Sequence, residues 1–317
     1  MVAFLVRRLV GAVLVLIAVS FITYLIFIKI PGGDPAVRIA GKLATDQNIA
    51  DIRQKLHLND PFYMQYYGMM KSLFTGSLVS YSSQLNVVDQ IKAGIPATFS
   101  LCIGAGIIWL FFGVLVGVIS AVTAGRLSDR VITVLALIGI SMPVFWLGIV
   151  VRYLFAQGHP FGFMPDSGYV PLTANPWQWF THLIMPWLVL AVLFIGFYGR
   201  VLRSNVLDTI NEDYVRTARA KGIAPRRVLV KHVLRNSLIP IVTLFGLDFA
   251  AVLGGSAILT ETVFDLKGVG QYAAQSTQSL DLPPIMGVTI YATFFIVVFS
   301  VVVDLMYAYL DPRIRPA

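Results

Sequence analysis

Basic side chains crowd into one stretch of this sequence. Nine of the 24 Lys and Arg residues lie between Arg200 and Arg235, although only 13% of the chain is charged. The middle of the stretch, residues 213 to 222, reads DYVRTARAKG. Guanidinium and ammonium groups at this density can bind nucleic acid, fix the topology of a membrane protein or line the rim of a docking site. The composition of the whole chain indicates which of these uses to consider first.

That composition is typical of a membrane protein. Apolar residues make up 57% of the 317 positions, and the mean hydropathy is +0.78, so lipid is the solvent for most of the chain. The formal net charge is +8, but the basic residues fall in short stretches between apolar runs. Membrane topology therefore explains the charge before nucleic acid does, and no nucleic-acid partner is expected.

Motifs for catalysis are missing from the sequence. It contains no phosphate-binding G-x-x-x-x-G-K-[ST] loop, no H-E-x-x-H and no G-x-S-x-G. The four His residues are scattered, and the single cysteine, Cys102, lies inside an apolar run. We therefore expect no catalytic residue, no metal and no cofactor in this chain.

Six apolar stretches are long enough to cross a bilayer, which takes roughly 20 residues in a helix. Lipid offers no partner for backbone N–H and C=O groups, so these stretches must be helices. The fold class is therefore predicted as all-α integral membrane, with six transmembrane helices. The fourth stretch is the shortest and contains Pro186. The stretches are residues 9–29, 97–122, 131–155, 183–199, 237–260 and 285–310.

The distribution of Lys and Arg predicts the orientation. The side opposite the N-terminus has Lys267 and six basic residues in the segment 31–96, where five Asp nearly cancel them. We therefore predict a multi-pass protein of the cytoplasmic membrane with both termini cytoplasmic. The fifteen basic residues on the cytoplasmic side would be Arg7, Arg8, Arg126, Arg130, the nine of the 200–235 stretch, Arg313 and Arg315.

Residues 31–96 would then form a small extracytoplasmic layer. PGGDPA, residues 31 to 36, predicts a turn, and FYMQYYGMMKSLF, residues 62 to 74, predicts a helix near the membrane surface. A lid that only covers helix ends is the alternative. The N-terminal apolar run of about 20 residues exceeds the usual 7 to 15 of a signal peptide, so we expect it to be retained as the first span.

The connection between the fourth and fifth spans carries helix signals of its own. Asn211 is predicted as the N-cap of a short helix that Gly222 ends, and Pro225 suits the first turn of a second helix. We call this helix–turn–helix, residues 211 to 228, the elbow. Its predicted apolar stripe is Tyr214, Val215 and Ala218, and the basic residues at its tip are Arg216, Arg219, Lys221, Arg226 and Arg227.

Two explanations of the elbow are open. Selection for cytoplasmic positive charge alone would place Lys and Arg here, but it does not account for two helices and a glycine turn. A docking role accounts for both features. The short helix could enter a groove on a cytoplasmic partner, and Gly222 would allow close approach and an unusual backbone angle.

Few ionisable residues lie inside the predicted spans. Asp248 either lines a pathway, where it could meet a substrate ammonium group, or is capped by a neighbouring helix. Asp304 is expected to hold a local Arg, and Lys29 and Arg152 can extend towards the outer interface. The small residues that permit close helix contact, within this chain or with a second subunit, are Gly113, Gly117, Gly254 and Gly255.

The sequence of the elbow resembles a known family. DYVRTARAKGIAPRRVLVKHVLRNSLIP is similar to the coupling loop in the membrane subunits of ATP-binding-cassette (ABC) importers. Arg216 stands where many relatives have Glu, and Arg235 where many have Pro. Both departures are typical of the dipeptide, oligopeptide and nickel branch, and within it the chain resembles the B-type permease subunit.

The resemblance extends over nearly the whole chain. Segments 31–36, 56–81, 139–156 and 301–316 are similar to the corresponding segments of that branch. The loop ETVFDLKGVG, residues 261 to 270, also matches, although relatives often have Pro where Lys267 stands. The resemblance implies the type I ABC importer architecture. Residues 1–95 would form an N-terminal region, and residues 96–317 a core that includes the coupling loop 200–236.

The resemblance also implies partners and a mechanism. The expected partners are a homologous C-type permease subunit, two ABC ATPase subunits that use ATP and Mg, an extracytoplasmic solute-binding protein and the lipid bilayer. Di- or oligopeptides are the first substrates to consider, with nickel and other solutes left open. A secondary transporter or facilitator working alone is the alternative. The residues expected to dock on the ATPase are Tyr214, Arg216, Thr217, Ala218, Arg219, Ala220, Lys221 and Gly222, with Asp248 as a candidate pathway residue.

Overall fold

A computed structural model describes residues 2–29, 35–40, 45–158 and 160–310. Most of the predicted 31–36 turn and the C-terminal Arg313 and Arg315 lie outside these ranges. Leu229–Leu234 widens into π-helix, whereas Val252–Ser256 contains a kink at Gly255, whose φ is 137°. The helices are α1 Val2–Lys29, α2 Pro35–Ala40, α3 Asp46–Lys55, α4 Phe62–Phe74, α5 Val87–Val122, α6 Leu127–Ser141, α7 Val144–Phe155, α8 Pro176–Thr209, α9 Asp213–Ala220, α10 Pro225–Val228, α11 Arg235–Ser237, α12 Ile239–Ala251, α13 Ile258–Val263, α14 Val269–Gln278 and α15 Leu282–Leu310.

The predicted all-α membrane fold is confirmed. Within the described ranges, five helical segments are long and apolar enough to cross a bilayer, and a sixth crossing results if the bent pair α6 and α7 is counted as one span. The five are Arg7–Phe27, Val87–Val122, Pro176–Thr209, Ile239–Ser256 and Leu282–Leu305. The predicted division at residue 95 stays a prediction.

The third predicted span is not one continuous helix. Residues 131–155 were expected to form a single crossing, but α6 and α7 meet at an angle of 100°. Met142, between them, has extended backbone angles, φ −78° and ψ 129°. The cause is Pro143, whose ring clashes with a helical conformation of the preceding residue.

The fourth predicted span is much longer than residues 183–199. Helix α8 has 34 residues, about 51 Å at 1.5 Å per residue, so it is longer than the hydrocarbon layer is thick. The side chain of Asn175 fixes its start by accepting hydrogen bonds from the backbone N–H groups of Trp177 and Gln178, both at 3.1 Å. Arg200 and Arg203 therefore lie on this helix, and the connection predicted at 200–236 begins only after Thr209.

The chain divides into two compact units, and the first comprises residues 1–98, 253–262 and 266–298. It contains α4, which confirms the helix predicted at residues 62–74. The hydroxyl of Tyr24 on α1 donates to the carbonyl of Phe62 at 3.0 Å, and the hydroxyls of Ser20 and Tyr66 are 2.7 Å apart. The buried core of this unit is Tyr24, Met69, Leu78, Val87, Ile91, Val269, Leu282, Met286, Val288 and Tyr291.

The second unit comprises residues 99–252, 263–265 and 299–317, and glycines bring its helices together. A Cβ added to Gly113 on α5 would lie 2.8 Å from the Cβ of Tyr198 on α8, and one on Gly117 would lie 2.8 Å from the Cβ of Leu202. In the first unit, a Cβ on Gly254 would lie 3.1 Å from the side chain of Ile296. These glycines therefore serve packing within the chain.

One buried carboxylate organises the segment that precedes α5. Asp281 is 4% exposed; it accepts hydrogen bonds from the Ser80 hydroxyl at 2.6 Å and from the backbone N–H groups of Tyr81 and Ser82, each at 3.0 Å. Burial, and secondly the negative charge of Asp281, raise the pKa of Tyr81 to about 12. The Tyr81 hydroxyl is therefore neutral at physiological pH.

Replacing Asp281 with Asn is expected to destabilise the first unit. An amide supplies one acceptor oxygen where the carboxylate has two, so at least one donor in the 80–82 turn loses its partner, at a cost of about 1–3 kcal/mol. Thermal unfolding of the purified protein in detergent measures the change. Asp51→Asn, at an exposed position on α3, is the control. Equal melting temperatures for the two variants would contradict this role of Asp281.

Candidate functional site

The elbow has the predicted helix–turn–helix form, with one correction at its start. Glu212, and not Asn211, is the N-cap of α9. The side-chain amide of Asn211 donates to the carbonyl of Leu207 at 3.0 Å, one turn back on α8. Asn211 therefore completes the end of α8 instead of starting α9. Pro225 occupies the first turn of α10, as predicted.

Gly222 ends the first elbow helix in a left-handed conformation, with φ +75°. Its N–H donates to the carbonyl of Arg219 at 2.9 Å. A Cβ at this position would meet no atom within 4 Å, so space does not explain the glycine. The backbone angle does, because glycine adopts positive φ without steric cost.

The predicted docking residues are exposed with one exception. Ala218 is 5% exposed and Val215 is fully buried, because this side of α9 packs on α10 and on the Leu229–Leu234 segment. Ala218 therefore supports the helix from inside the elbow. The predicted residues whose positions are exposed are Tyr214, Arg216, Thr217, Arg219, Ala220, Lys221 and Gly222.

The tip of the elbow carries uncompensated positive charge. Arg216 lies 3.5 Å from the carboxylate of Asp213, but both side chains are exposed, and such pairs contribute little. Within the described ranges of the chain, the other basic side chains at the tip have no ion pair. They are Arg219, Lys221, Arg226 and Arg227, and their charge suits an acidic surface on a partner.

Polar contacts fix the base of the elbow. The hydroxyl of Ser237 on α11, which is 2% exposed, lies 3.1 Å from the hydroxyl of Thr209 and 3.2 Å from the carbonyl of Asn205, both on α8. The side-chain amide of Asn236 donates to the hydroxyl of Tyr214 at 2.7 Å. The elbow is therefore attached to the end of α8 and to α11.

Asp248 has a partner on a neighbouring helix. The hydroxyl of Tyr198 on α8 donates to its carboxylate at 2.7 Å, and Tyr198 is fully buried. Of the two roles considered from the sequence, the structure favours capping by a neighbouring helix. A pathway role for Asp248 and an arginine partner for Asp304 stay predictions.

Arg152 is fixed in place rather than extending freely to an interface. Two of its guanidinium nitrogens bind the carboxylate of Asp166, each at 2.8 Å, and a third donates to the carbonyl of Val263 at 2.9 Å. Bidentate pairs of this kind are geometrically specific. Sequence reasoning missed Asp166, because nothing in the spacing of residues 152 and 166 indicates a contact.

A second group that the sequence did not reveal is Glu261, which holds the 261–271 loop. Its carboxylate is fully buried and accepts hydrogen bonds from the Thr98 hydroxyl at 2.7 Å and from the backbone N–H of Gln271 at 2.8 Å. Burial raises its pKa, and these hydrogen bonds oppose the shift. A Cβ on Gly268 or Gly270 would collide with the carboxylate, which accounts for both glycines in GVG.

Lys267 gives the same loop a backbone that proline cannot adopt. Its φ is +55°, and its N–H donates to the side-chain carbonyl of Gln271 at 2.6 Å. Proline fixes φ near −65° and has no N–H. The loop therefore cannot keep this geometry with Pro at position 267.

Substitutions at Lys267 test this geometry. Lys267→Pro is expected to lower the apparent melting temperature by about 4 °C or more, since it combines a forbidden φ with a lost hydrogen bond. Lys267→Gly is expected to be tolerated, because glycine relieves a left-handed strain of about 1–2 kcal/mol. Lys267→Ala keeps the N–H and serves as the control. A proline variant that melts like the alanine variant would show the loop to be built differently.

The fold and the elbow together define the class of an integral-membrane transport subunit. The sequence model described as "Binding-protein-dependent transport system inner membrane component" matches residues 113–316, and the model of the corresponding N-terminal region matches residues 1–102. The chain belongs to this family, the permease subunits of ABC importers.

Characterised relatives match along almost their full length. The probable D,D-dipeptide transport system permease protein DdpB of Escherichia coli is 39% identical over 97% of this chain and 96% of its own. The dipeptide transport system permease protein DppB of Alkalihalophilus pseudofirmus is 36% identical over 99% and 100%. The glutathione transport system permease protein GsiC of Escherichia coli is 36% identical over 99% of both chains.

A solved structure has the same fold. One chain of the MetNI methionine ABC transporter, in an inward-facing conformation, superposes with a TM-score of 0.53 at 17% sequence identity. The match covers 71% of this chain and 97% of that one. The ABC importer permease fold expected from the sequence is therefore confirmed.

Proposed function

We propose that this chain forms half of the transmembrane pathway of an ATP-driven importer for di- or oligopeptides. Relatives named as dipeptide, D,D-dipeptide and glutathione permeases, which align over nearly the whole chain, support a peptide substrate. A homologous C-type permease would form the other half. An extracytoplasmic solute-binding protein would deliver the peptide, and two ABC ATPase subunits with ATP and Mg would supply the energy.

The elbow is the observation that carries this proposal. It follows α8 and leads towards α12, its inner face is buried against its own chain, and, among the described residues, four of the five cationic side chains at its tip have no ion pair. Such a helix can lie in a groove of a partner while its arginines contact the rim. The positive-inside pattern favours a cytoplasmic position for the elbow, both termini and the ATPase subunits.

The proposed mechanism is alternating access driven through the elbow. When ATP binding closes the two ATPase subunits, α9 is displaced with them. The contacts of Ser237 with Thr209 and Asn205 transmit that displacement to α8 and α11. Rigid movement of the spans then exposes the pathway first to the binding protein and afterwards to the cytoplasm.

Two substitutions in the elbow test the docking role. Gly222→Val forces a branched side chain into a left-handed backbone, which costs about 1–2 kcal/mol and reshapes the turn. Arg219→Glu reverses one charge at the tip. Each is expected to lower ATP-driven uptake about tenfold, the effect of roughly 1.4 kcal/mol, while membrane insertion stays intact. Uptake by proteoliposomes that contain the complete transporter is the measurement.

Matched controls separate docking from general damage. Gly76→Val places the same side chain at φ +73°, also with no atom within 4 Å, but outside the elbow. Arg126→Glu reverses an exposed charge on the same predicted side of the membrane. Uptake at the wild-type level in both elbow variants, or an equal loss in the controls, would remove the support for docking.

The substrate is tested on the solute-binding protein that serves this permease. Titration of that protein with dipeptides, with longer peptides and with Ni²⁺ is expected to show binding of the peptides. Binding of Ni²⁺ alone would replace the peptide assignment with a metal importer. A reconstituted chain that moves solute uphill without any ATPase would favour the secondary transporter.

A further inference from the structure

An ion pair between a buried carboxylate and a partly exposed guanidinium joins α5, α6 and α8 inside the second unit. Asp129, in the first turn of α6, is 4% exposed. Two nitrogens of the Arg203 guanidinium donate to its two carboxylate oxygens, each at 2.8 Å. The hydroxyl of Ser120 on α5 also donates to this carboxylate, and so does the backbone N–H of Gly125, at 2.9 Å. Asp129 is thus bound by α8, by α5 and by the turn between α5 and α6.

Stability alone is a weak explanation for such a pair. Removing the Asp129 carboxylate from water has a cost that offsets much of its attraction to Arg203, and a pair whose guanidinium is partly exposed gains only modest Coulomb energy. A bidentate guanidinium–carboxylate pair does provide a fixed relative position of the elements that carry it. The function of the transporter therefore has to explain why that position is fixed here.

Close packing at glycines also holds these helices together. A Cβ on Gly117 of α5 would meet Leu202 of α8, and one on Gly196 of α8 would meet the carbonyl of Ala136 on α6. Glycine contacts allow helices to approach closely. The Asp129 pair adds directional bonds that have to break if α8 slides past α5 or α6.

The pair also lies close to the elbow along the chain. Arg203 and Thr209 belong to the same uninterrupted helix, and six residues of helix span only about 9 Å. The contacts at the base of the elbow attach to Asn205 and Thr209 at this end of α8. A displacement that reaches Thr209 is therefore carried to Arg203 by one continuous helix.

We propose that Asp129 and Arg203 are positioning residues for energy coupling: their pair makes α5 and α6 move with α8 when the elbow is displaced. The inference rests on the proposed function as an ATP-driven importer. Ser120 and the N–H of Gly125 hold the carboxylate in the orientation that the guanidinium needs. Without the pair, α8 would still follow the ATPase subunits, but α5 and α6 would follow it incompletely, and ATP would be hydrolysed with less transport.

The test is the amount of peptide transported per ATP hydrolysed by the complete reconstituted transporter. The double variant Asp129→Asn, Arg203→Gln removes both charges and leaves no lone ion. We expect its transport per ATP to fall at least fivefold, within the usual range of about 5–150-fold for coupling between sites. The yield of assembled transporter and the stimulation of ATPase activity by the binding protein are expected to stay within about twofold, a margin well below one tenfold step of 1.4 kcal/mol.

Two further variants sharpen the result. Arg203→Lys keeps the charge but loses the bidentate geometry, and we expect an intermediate ratio. Arg200→Gln removes an exposed arginine from the same helix and is the matched control, with a wild-type ratio.

Each outcome decides the proposal. An unchanged ratio in the double variant overturns it. So does a parallel fall in assembled transporter, melting temperature and uptake at constant transport per ATP, because that pattern shows a purely structural role. If the double variant does not assemble, Arg203→Lys decides, and a wild-type ratio there overturns the proposal. If the proposed function itself is wrong, proteoliposomes with the wild-type transporter show no ATP-driven uptake. That result differs from a failure of the coupling proposal, in which the wild type still transports.

Discussion

Hydrocarbon provides no hydrogen-bond partners, and this constraint governs both the backbone and the few polar side chains of the permease. Spanning segments must pair their own N–H and C=O groups, which is why apolar stretches became helices such as α5 and α8. Charged and polar groups inside those helices face the same demand. Within α12, Asp248 binds Tyr198 of α8. Asp129 lies in the first turn of α6, before the apolar run of that helix, and binds Arg203 of α8, so α8 receives polar groups of its neighbours as well as their glycine contacts.

The features that were predictable from the sequence are those with local signals. Continuous apolar runs predicted the spans, and the helix at residues 62–74 followed from its pattern of apolar residues. In the elbow, Gly222 and Pro225 act through their own backbone angles, so their positions could be predicted residue by residue. The resemblance to ABC importer permeases added the family, which the matching sequence models and relatives then confirmed.

The features that escaped prediction depend on contacts between distant residues or on competition between local signals. Glu261 binds Thr98, and Arg152 binds Asp166. The separation of these residues along the sequence indicates neither contact. Average hydropathy over residues 131–155 hid the effect of one proline. Asn211 has the chemistry of an N-cap, yet α8 continues far enough to use its amide first. The prediction from average hydropathy also made α8 too short, because polar residues at both ends extend the helix beyond the apolar run.

The bend between α6 and α7 has a consequence for where this subunit can touch lipid. Neither helix crosses the hydrocarbon alone, since 15 and 12 residues reach only about 22 and 18 Å. If the pair makes one crossing, the break falls at depth, where the final carbonyls of α6 have no N–H groups left in their own helix. Carbonyl oxygens without a partner in their own helix are tolerated within a membrane only where they face protein or a water-filled cavity. This side of the crossing must accordingly be sheltered from acyl chains.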